Sequence, residues 1–290
     1  MPTASAPFAI RETLDAAAWR ARAASHAERA DAMTAGWRAR AGTGRTHPVE
    51  DFLFTYYPYK PAQLRKWHPG AGVALADAAE RAQWAFYAVD DDDVAHVDGA
   101  AFVERHGRNV GFIASLLERT AGRTANLACF GLHEWAMVYR AEEHRHAVPL
   151  RLGQTGTDAV VQQHRIACSH VDAFRFFTAA AVPLNRLQPT RENQPDLEQP
   201  GCLHAGMDLY KWATKLGPLV PGELLLDCFE LARDIRDLDM RASPYDLADL
   251  GYAPVPIETP AGRAAYSRAQ RGFAERGAAL RARLIAAARA

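Results

Sequence analysis

The stretch TPAGRAAYSRAQRGFAERGAALRARL, residues 259–284, limits the fold more than any other. Pro260 suits the first turn of a helix, where a missing N–H costs nothing. Tyr266, Phe273 and Leu280 then recur at seven-residue intervals, so one apolar stripe has to pack on something. Residues 11–41 carry the same message. Leu14, Ala18, Ala21, Ala24 and Ala32 stand at loosely helical spacing among Arg and Glu, which predicts one long helix or two shorter ones ended by AGTGR. A chain opening and closing on such segments is expected to be mainly α.

Between them the punctuation is uneven. Val49–Tyr57 reads as a short helix or an irregular segment, and Pro61–Trp67 as a helix with proline in its first turn. An acidic turn, DDDD, between alternating segments predicts a hairpin near residues 83–97, the one minor sheet element expected. FVERHGRNVGFIASLLERTAG predicts a helix ended by Gly122, and LACFGLHEWAMVYR is apolar enough to be buried as helix or strand. Thr157 is the expected N-cap of a helix through VVQQ. Ser169 and Asp172 fit the Ser-x-x-Asp start signal of another. PLNRLQPTRENQPDLEQPG, with four prolines, reads as a long loop. Helices are expected over 202–216, ended by Gly217-Pro218, and over 222–241. The domain reading is an N-terminal helical segment, 1–44, followed by a single mainly helical catalytic domain, 45–290.

Composition narrows the function classes. The chain of 290 residues has 34 basic and 34 acidic side chains, so bulk charge does not favour nucleic acid and any such contact needs a local patch. No apolar run reaches membrane-spanning length. MPTASAPFAIRETLD meets an acid too early for a signal peptide, so a cytoplasmic location without a membrane partner is expected. Cys129, Cys168, Cys202 and Cys228 are widely spaced and expected to be reduced.

Several segments carry candidate chemistry. Two Cys-x-His pairs, Cys168/His170 and Cys202/His204, are each followed by an aspartate. On a helix, residues i and i+2 point about 200° apart, so such a pair cannot clamp one ion. The bland reading is a small buried cysteine. The alternative is a divalent transition metal held by a subset of His133, Cys168, His170 and His204. His204 and Asp208, at i and i+4, read either as a solvated stripe or as a His–carboxylate pair at the lip of a pocket beside Trp212. Glu134 lies among Leu132, Trp135, Met137 and Val138, where a carboxylate is expected to be desolvated and suited to proton transfer, unless it is exposed or paired with Arg140. The segment 52–68 interleaves Tyr57 and Trp67 with Arg65, Lys66 and His68. It reads as a stacking platform with phosphate-holding cations, or as a hydrophobic cluster with a basic rim. Asp227, Glu230, Asp234 and Asp237 form an acidic stripe read as solvated.

HPVEDFLFTYYPYKPAQLRKWHPG, CFGLHEWAMVYR, CSHVDAFRFF, LEQPGCLHAGMDLYKW and CFELARDIRDLDMRASPYDL together resemble a bacterial, chiefly actinobacterial, family commonly labelled 3-methyladenine DNA glycosylase. The resemblance covers the chain from about Arg45 onward. It implies a DNA-repair hydrolase that flips a modified purine out of DNA, or takes it as a nucleoside, and cleaves its N-glycosidic bond. Trp67, Tyr57, Trp135 and Trp212 would stack on the base. Glu134, Asp208 or Asp239 would stabilise the developing sugar cation or orient water, with His204 beside them. GPLVPGEL is similar to a helix-hairpin-helix, departing from it at Glu223 and Leu224. The leading expectation is thus an alkylpurine N-glycosylase without a cofactor. The alternatives are a metal-dependent enzyme and a non-enzymatic helical protein that binds a ligand or partner.

Overall fold

A computed structural model describes residues 8–144 and 146–290. The first seven residues of the expected N-terminal segment lie outside the described residues. In chain order the helices are α1 (Ala16–Arg40), α2 (Phe52–Tyr56), α3 (Pro61–Leu64), α4 (Gly99–Ala121), α5 (Leu132–Ala136), α6 (Gly153–Gln163), α7 (Val171–Phe174), α8 (Gln194–Leu197), α9 (Leu203–Lys215), α10 (Gly222–Arg241) and α11 (Pro260–Arg289). The strands are β1 (Glu12–Leu14), β2 (Val73–Leu75), β3 (Tyr87–Val89) and β4 (Ala95–Val97). The protein is mainly α with one small sheet. Among the described residues no helix is long and apolar enough to cross a membrane.

Contacts gather the chain into two compact units. One is Met1–Glu118 with Leu209–Glu230 and Ala279–Ala290; the other is Arg119–Asp208 with Leu231–Ala278.

In the first unit the sheet runs β1-β2-β4-β3. The expected hairpin is β3–β4, antiparallel with Ala88 opposite His96. β1 pairs with β2 in parallel, Thr13 opposite Ala74, a connection the local pattern did not announce. Asp15 caps α1 by accepting from Ala18 N–H at 2.8 Å, and Trp19 on its first turns donates its indole N–H to Ala76 O at 2.9 Å. Trp19, Trp67, Leu75, Ala78 and Ala95 form the core against this sheet. A second aromatic cluster joins Tyr57 and Tyr59 to Tyr210, which also meets Phe229 edge-on at 5.0 Å.

In the second unit, two expected helix starts move. α6 begins at Gly153 rather than Thr157, whose hydroxyl instead bonds back to Gly153 O at 2.7 Å inside the helix. α7 starts after His170, which makes no side-chain cap bond, so Ser169 is not the cap that its spacing to Asp172 suggested. The long proline-rich loop contains the short helix α8. The acidic stripe of α10 is neutralised by arginines. Asp227 and Glu230 pair with Arg29 in the first unit; Asp234 pairs with Arg276, and Asp237 with Arg241, in the second.

Candidate metal centre

The second unit brings three histidines and three carboxylates together on separate elements. α5 supplies His133, the entry to α7 supplies His170, and the end of α8 supplies Glu198. The first turns of α9 supply His204 and Asp208, and α10 supplies Asp239. All six are buried. Such burial of polar groups is sustained only where they satisfy one another or a bound ion. Gly206, between His204 and Asp208, eases their close approach. A Cβ added there would lie 2.8 Å from Ile235 Cδ1, so the missing side chain lets α9 approach α10.

The donors fall into two sets. In the first, His133, His204 and Asp239 each offer one atom, and in the second His170, Glu198 and Asp208 do so; within each set those atoms lie within 4.8 Å of one another. His133 Nε2 is 3.0 Å from Asp239 Oδ1 and 3.3 Å from Oδ2, and its Nδ1 is 3.5 Å from Cys129 Sγ. His170 Nε2 is 3.3 Å from Asp208 Oδ2 and 3.8 Å from Glu198 Oε2, yet neither ring nitrogen of His170 makes a hydrogen bond. The His204 ring stands between the sets, 4.6 Å from the His133 ring and 5.2 Å from that of His170.

The electrostatics differ from ring to ring. Burial opposes the charge on His133, but the Asp239 carboxylate outweighs it and holds His133 well above the usual imidazole range. Burial also pushes Asp239 up. The His133 charge and hydrogen bond, with His204 and Arg236 beyond, overcome that and hold it below the usual carboxylate range. His204 is pushed far down, by burial first and then by the His133 charge, so it is a neutral imidazole, the form that binds metals. Burial raises the Cys168 and Cys202 thiols, which disfavours thiolate ligation.

Beside the first set lies a cavity of about 10 Å³, room for roughly one water. Cys129, His133, Gln199, His204, Tyr266 and Gln270 are among its walls. Gln270 Nε2 donates to Gly201 O at 2.7 Å, while its Oε1 is buried without a hydrogen-bond partner. Burial keeps the Tyr266 phenol protonated.

The residues singled out from sequence are distributed as follows. Of the expected metal ligands, His133 and His204 share one set and His170 belongs to the other. Cys168 is in neither; its thiol instead donates to His170 O at 3.7 Å. Asp208 faces His170, rather than serving only the i and i+4 partner His204. Glu134 is 6 % exposed, but it pairs with the buried Arg236 at 3.1 Å, not with Arg140. It is half of an internal ion pair, not a lone desolvated acid. Trp135 is fully buried and donates to Ala242 O at 2.9 Å.

The remaining expected stacking residues belong to the first unit, and Tyr57, Trp67 and Trp212 are all core side chains there. The Trp67 indole donates to Glu223 Oε1 at 3.0 Å and is flanked by Arg22 and Arg81. Rings so covered present no open face for a base. This part of the platform reading gives way to the hydrophobic cluster with a basic rim. Arg65 pairs with Asp31 at 2.8 Å, Lys66 lies 5.9 Å over Trp84, and His68 bonds to the Tyr87 hydroxyl at 3.0 Å.

Glu198, Gln199, Arg236 and Gln270 were not singled out from sequence. Of these only Arg236, three residues before Asp239 on one helix, stood at a spacing that could have drawn notice. No family model matches the chain, and no curated protein or solved structure matches it either.

Proposed function

We propose that the protein is a metal-dependent hydrolase whose centre is the paired His–carboxylate sets of the second unit. The observation that carries this reading is His170: a buried imidazole with no hydrogen bond at either nitrogen, one of them facing two carboxylate oxygens at 3.3 and 3.8 Å. His170, Glu198 and Asp208 are the residues that would hold a cation there, and it would give the His170 ring the partner it lacks. His133, His204 and Asp239 form a two-histidine, one-carboxylate set of the kind that takes divalent iron, manganese or zinc. A divalent ion held there lowers the pKa of water toward neutrality and polarises a substrate oxygen. The chain's own contribution is to keep His204 neutral, to aim Asp239 and Asp208, and to set Gln270 Oε1 and Tyr266 around a space for one water.

Metal analysis of protein purified without chelators tests this directly. About one or more transition ions per chain is expected, with H204A and H170A each losing most of them. Fewer than about one ion per five chains, unchanged by either substitution, would sink the reading.

The family resemblance supports a narrower version, hydrolysis of an N-glycosidic bond to a modified purine in DNA or in a nucleoside. Four of its five motifs carry the ligand-bearing residues: His133 in CFGLHEWAMVYR, His170 in CSHVDAFRFF, Glu198, His204 and Asp208 in LEQPGCLHAGMDLYKW, and Asp239 in CFELARDIRDLDMRASPYDL. Release of base from alkylated DNA or a methylated nucleoside by metal-loaded protein is the expected result. No release from either, by protein shown to hold its ions, would discard this narrower version.

A further inference from the structure

A groove of about 450 Å³ opens in the second unit, lined by Arg165, Arg186 and Arg263 together with Phe130, Gln163 and His164. The rest of its wall is apolar, and no aspartate or glutamate lines it. A neighbouring hollow of about 540 Å³ shares Ala128 and Phe130 with it and adds Arg271, again without a carboxylate. In a chain with 34 acidic residues against 34 basic ones, that segregation is a local positive field. The groove also shares Ala167 with the water-sized cavity beside His133 and His204.

The cations stand on prepared backbone. Ile166 and Asn185 form a parallel bridge, Arg186 N–H donates to Ile166 O at 3.0 Å, and the Asn185 amide bonds both the N–H and the C=O of Cys168. These bonds stitch together the two segments that bear Arg165 and Arg186. Arg263 donates to Ile257 O at 3.0 Å and to His164 Nε2 at 3.0 Å. His164 can accept there because its Nδ1–H is committed to Val160 O at 2.8 Å. Phe130, which lines both hollows, holds a positive φ of 49°, unusual for a residue with a side chain, and Gly131 follows at 73°.

We infer that this groove binds the phosphate of a small phosphorylated substrate, a phosphomonoester or nucleotide, and presents it to the adjoining centre. Arginines are matched to phosphate by their planar fork of donors, and the groove's volume suits a ligand of nucleotide size. The catalytic meaning of the inference rests on the metal-centre reading; the binding does not.

The test is calorimetric titration of this 290-residue chain, stripped of metal by chelation, with inorganic pyrophosphate. Saturable binding is expected, weakened about tenfold or more in R165Q/R186Q and weakened by added salt. Both side chains are exposed, so the variant should fold. A second readout needs no variant. In the wild type, pyrophosphate should protect Arg165 and Arg186 from phenylglyoxal, as followed by peptide mass. No saturable binding, equal binding by the double variant, or no protection would each overturn the inference. Metal content of the unstripped preparation is read separately. Ions present without pyrophosphate binding reject the groove and leave the centre standing, whereas pyrophosphate binding by a protein that never holds ions does the reverse.

Discussion

The first unit buries the Arg81 guanidinium 3.9 Å from the Trp84 ring, with Trp19, Trp67 and Tyr87 also within 6 Å, and ties it to Trp67 O at 3.1 Å. The second unit buries Arg236 among Glu134 at 3.1 Å, Asp239 at 3.8 Å and His146 at 3.4 Å. Both cations are nearly inaccessible, 3 % and 1 % exposed. The rings around Arg81 are neutral; if it goes they lose a cation–π contact and Trp67 O loses a donor, but nothing charged is stranded. The groups around Arg236 are charged side chains and candidate ligands, and the Asp239 Oδ1 among them is unsatisfied. Burial alone therefore does not mark a site. What separates these two burials is whether the groups around the cation still have bonds to make.

Four experiments would break or sharpen that contrast. The largest effect is expected from R236M, which removes the guanidinium from Glu134 and Asp239; it should cost about 3–5 kcal/mol in denaturant unfolding. A loss below about 1 kcal/mol would mean that the second unit's charges are balanced without Arg236. Next, chelation should lower the stability of the purified protein by about 3 kcal/mol, the linkage expected when an ion is present at a few hundred times its dissociation constant. H204A should abolish the difference between chelated and unchelated protein.

A smaller effect belongs to His68 in the first unit. Burial, and then the charges of Arg81 and Lys66, depress it from 6.5 to about 3. The unfolded chain therefore takes up this proton first as pH falls. The contribution of His68 to stability is complete above pH 6.5 and is lost between there and about pH 3. H68N should flatten the upper part of that limb, from about pH 8 to about pH 5, by about 2 kcal/mol, measured as the difference in unfolding free energy between those two pH values. The smallest effect is expected from R81M, an apolar replacement of similar size inside a ring of aromatics, at about 1 kcal/mol. If R81M proved as damaging as R236M, the distinction between the two burials would fail.

What could be read ahead of the structure follows the range of each signal. Gly217-Pro218 ends α9 near its expected place, Pro260 opens α11, and the acidic turn makes the β3–β4 hairpin, because each is written within a few neighbouring residues. The β1–β2 pairing joins residues 12–14 to 73–75 and leaves no local mark. The same limit governs the centre. His133 and Asp239 are 106 positions apart, so no spacing rule could pair them. Glu198 sat in a stretch whose four prolines read as loop, although Gln194 donates to it at 2.9 Å across the short helix α8. The Cys-x-His echo was visible and half informative. The histidines went to the two sets while the cysteines remained packing residues.

Gly206 gives the centre one adjustable dimension. A methyl at that position would press on the free end of Ile235, which can swing aside, so G206A should still fold. Whatever part of that contact Ile235 did not relieve would move the turn bearing His204 and Asp208 away from the helix bearing Asp239. The aperture for an ion would widen while every donor kept its chemistry. Selectivity between smaller and larger cations could thus drift, in evolution or by engineering, through a position that touches no ion at all.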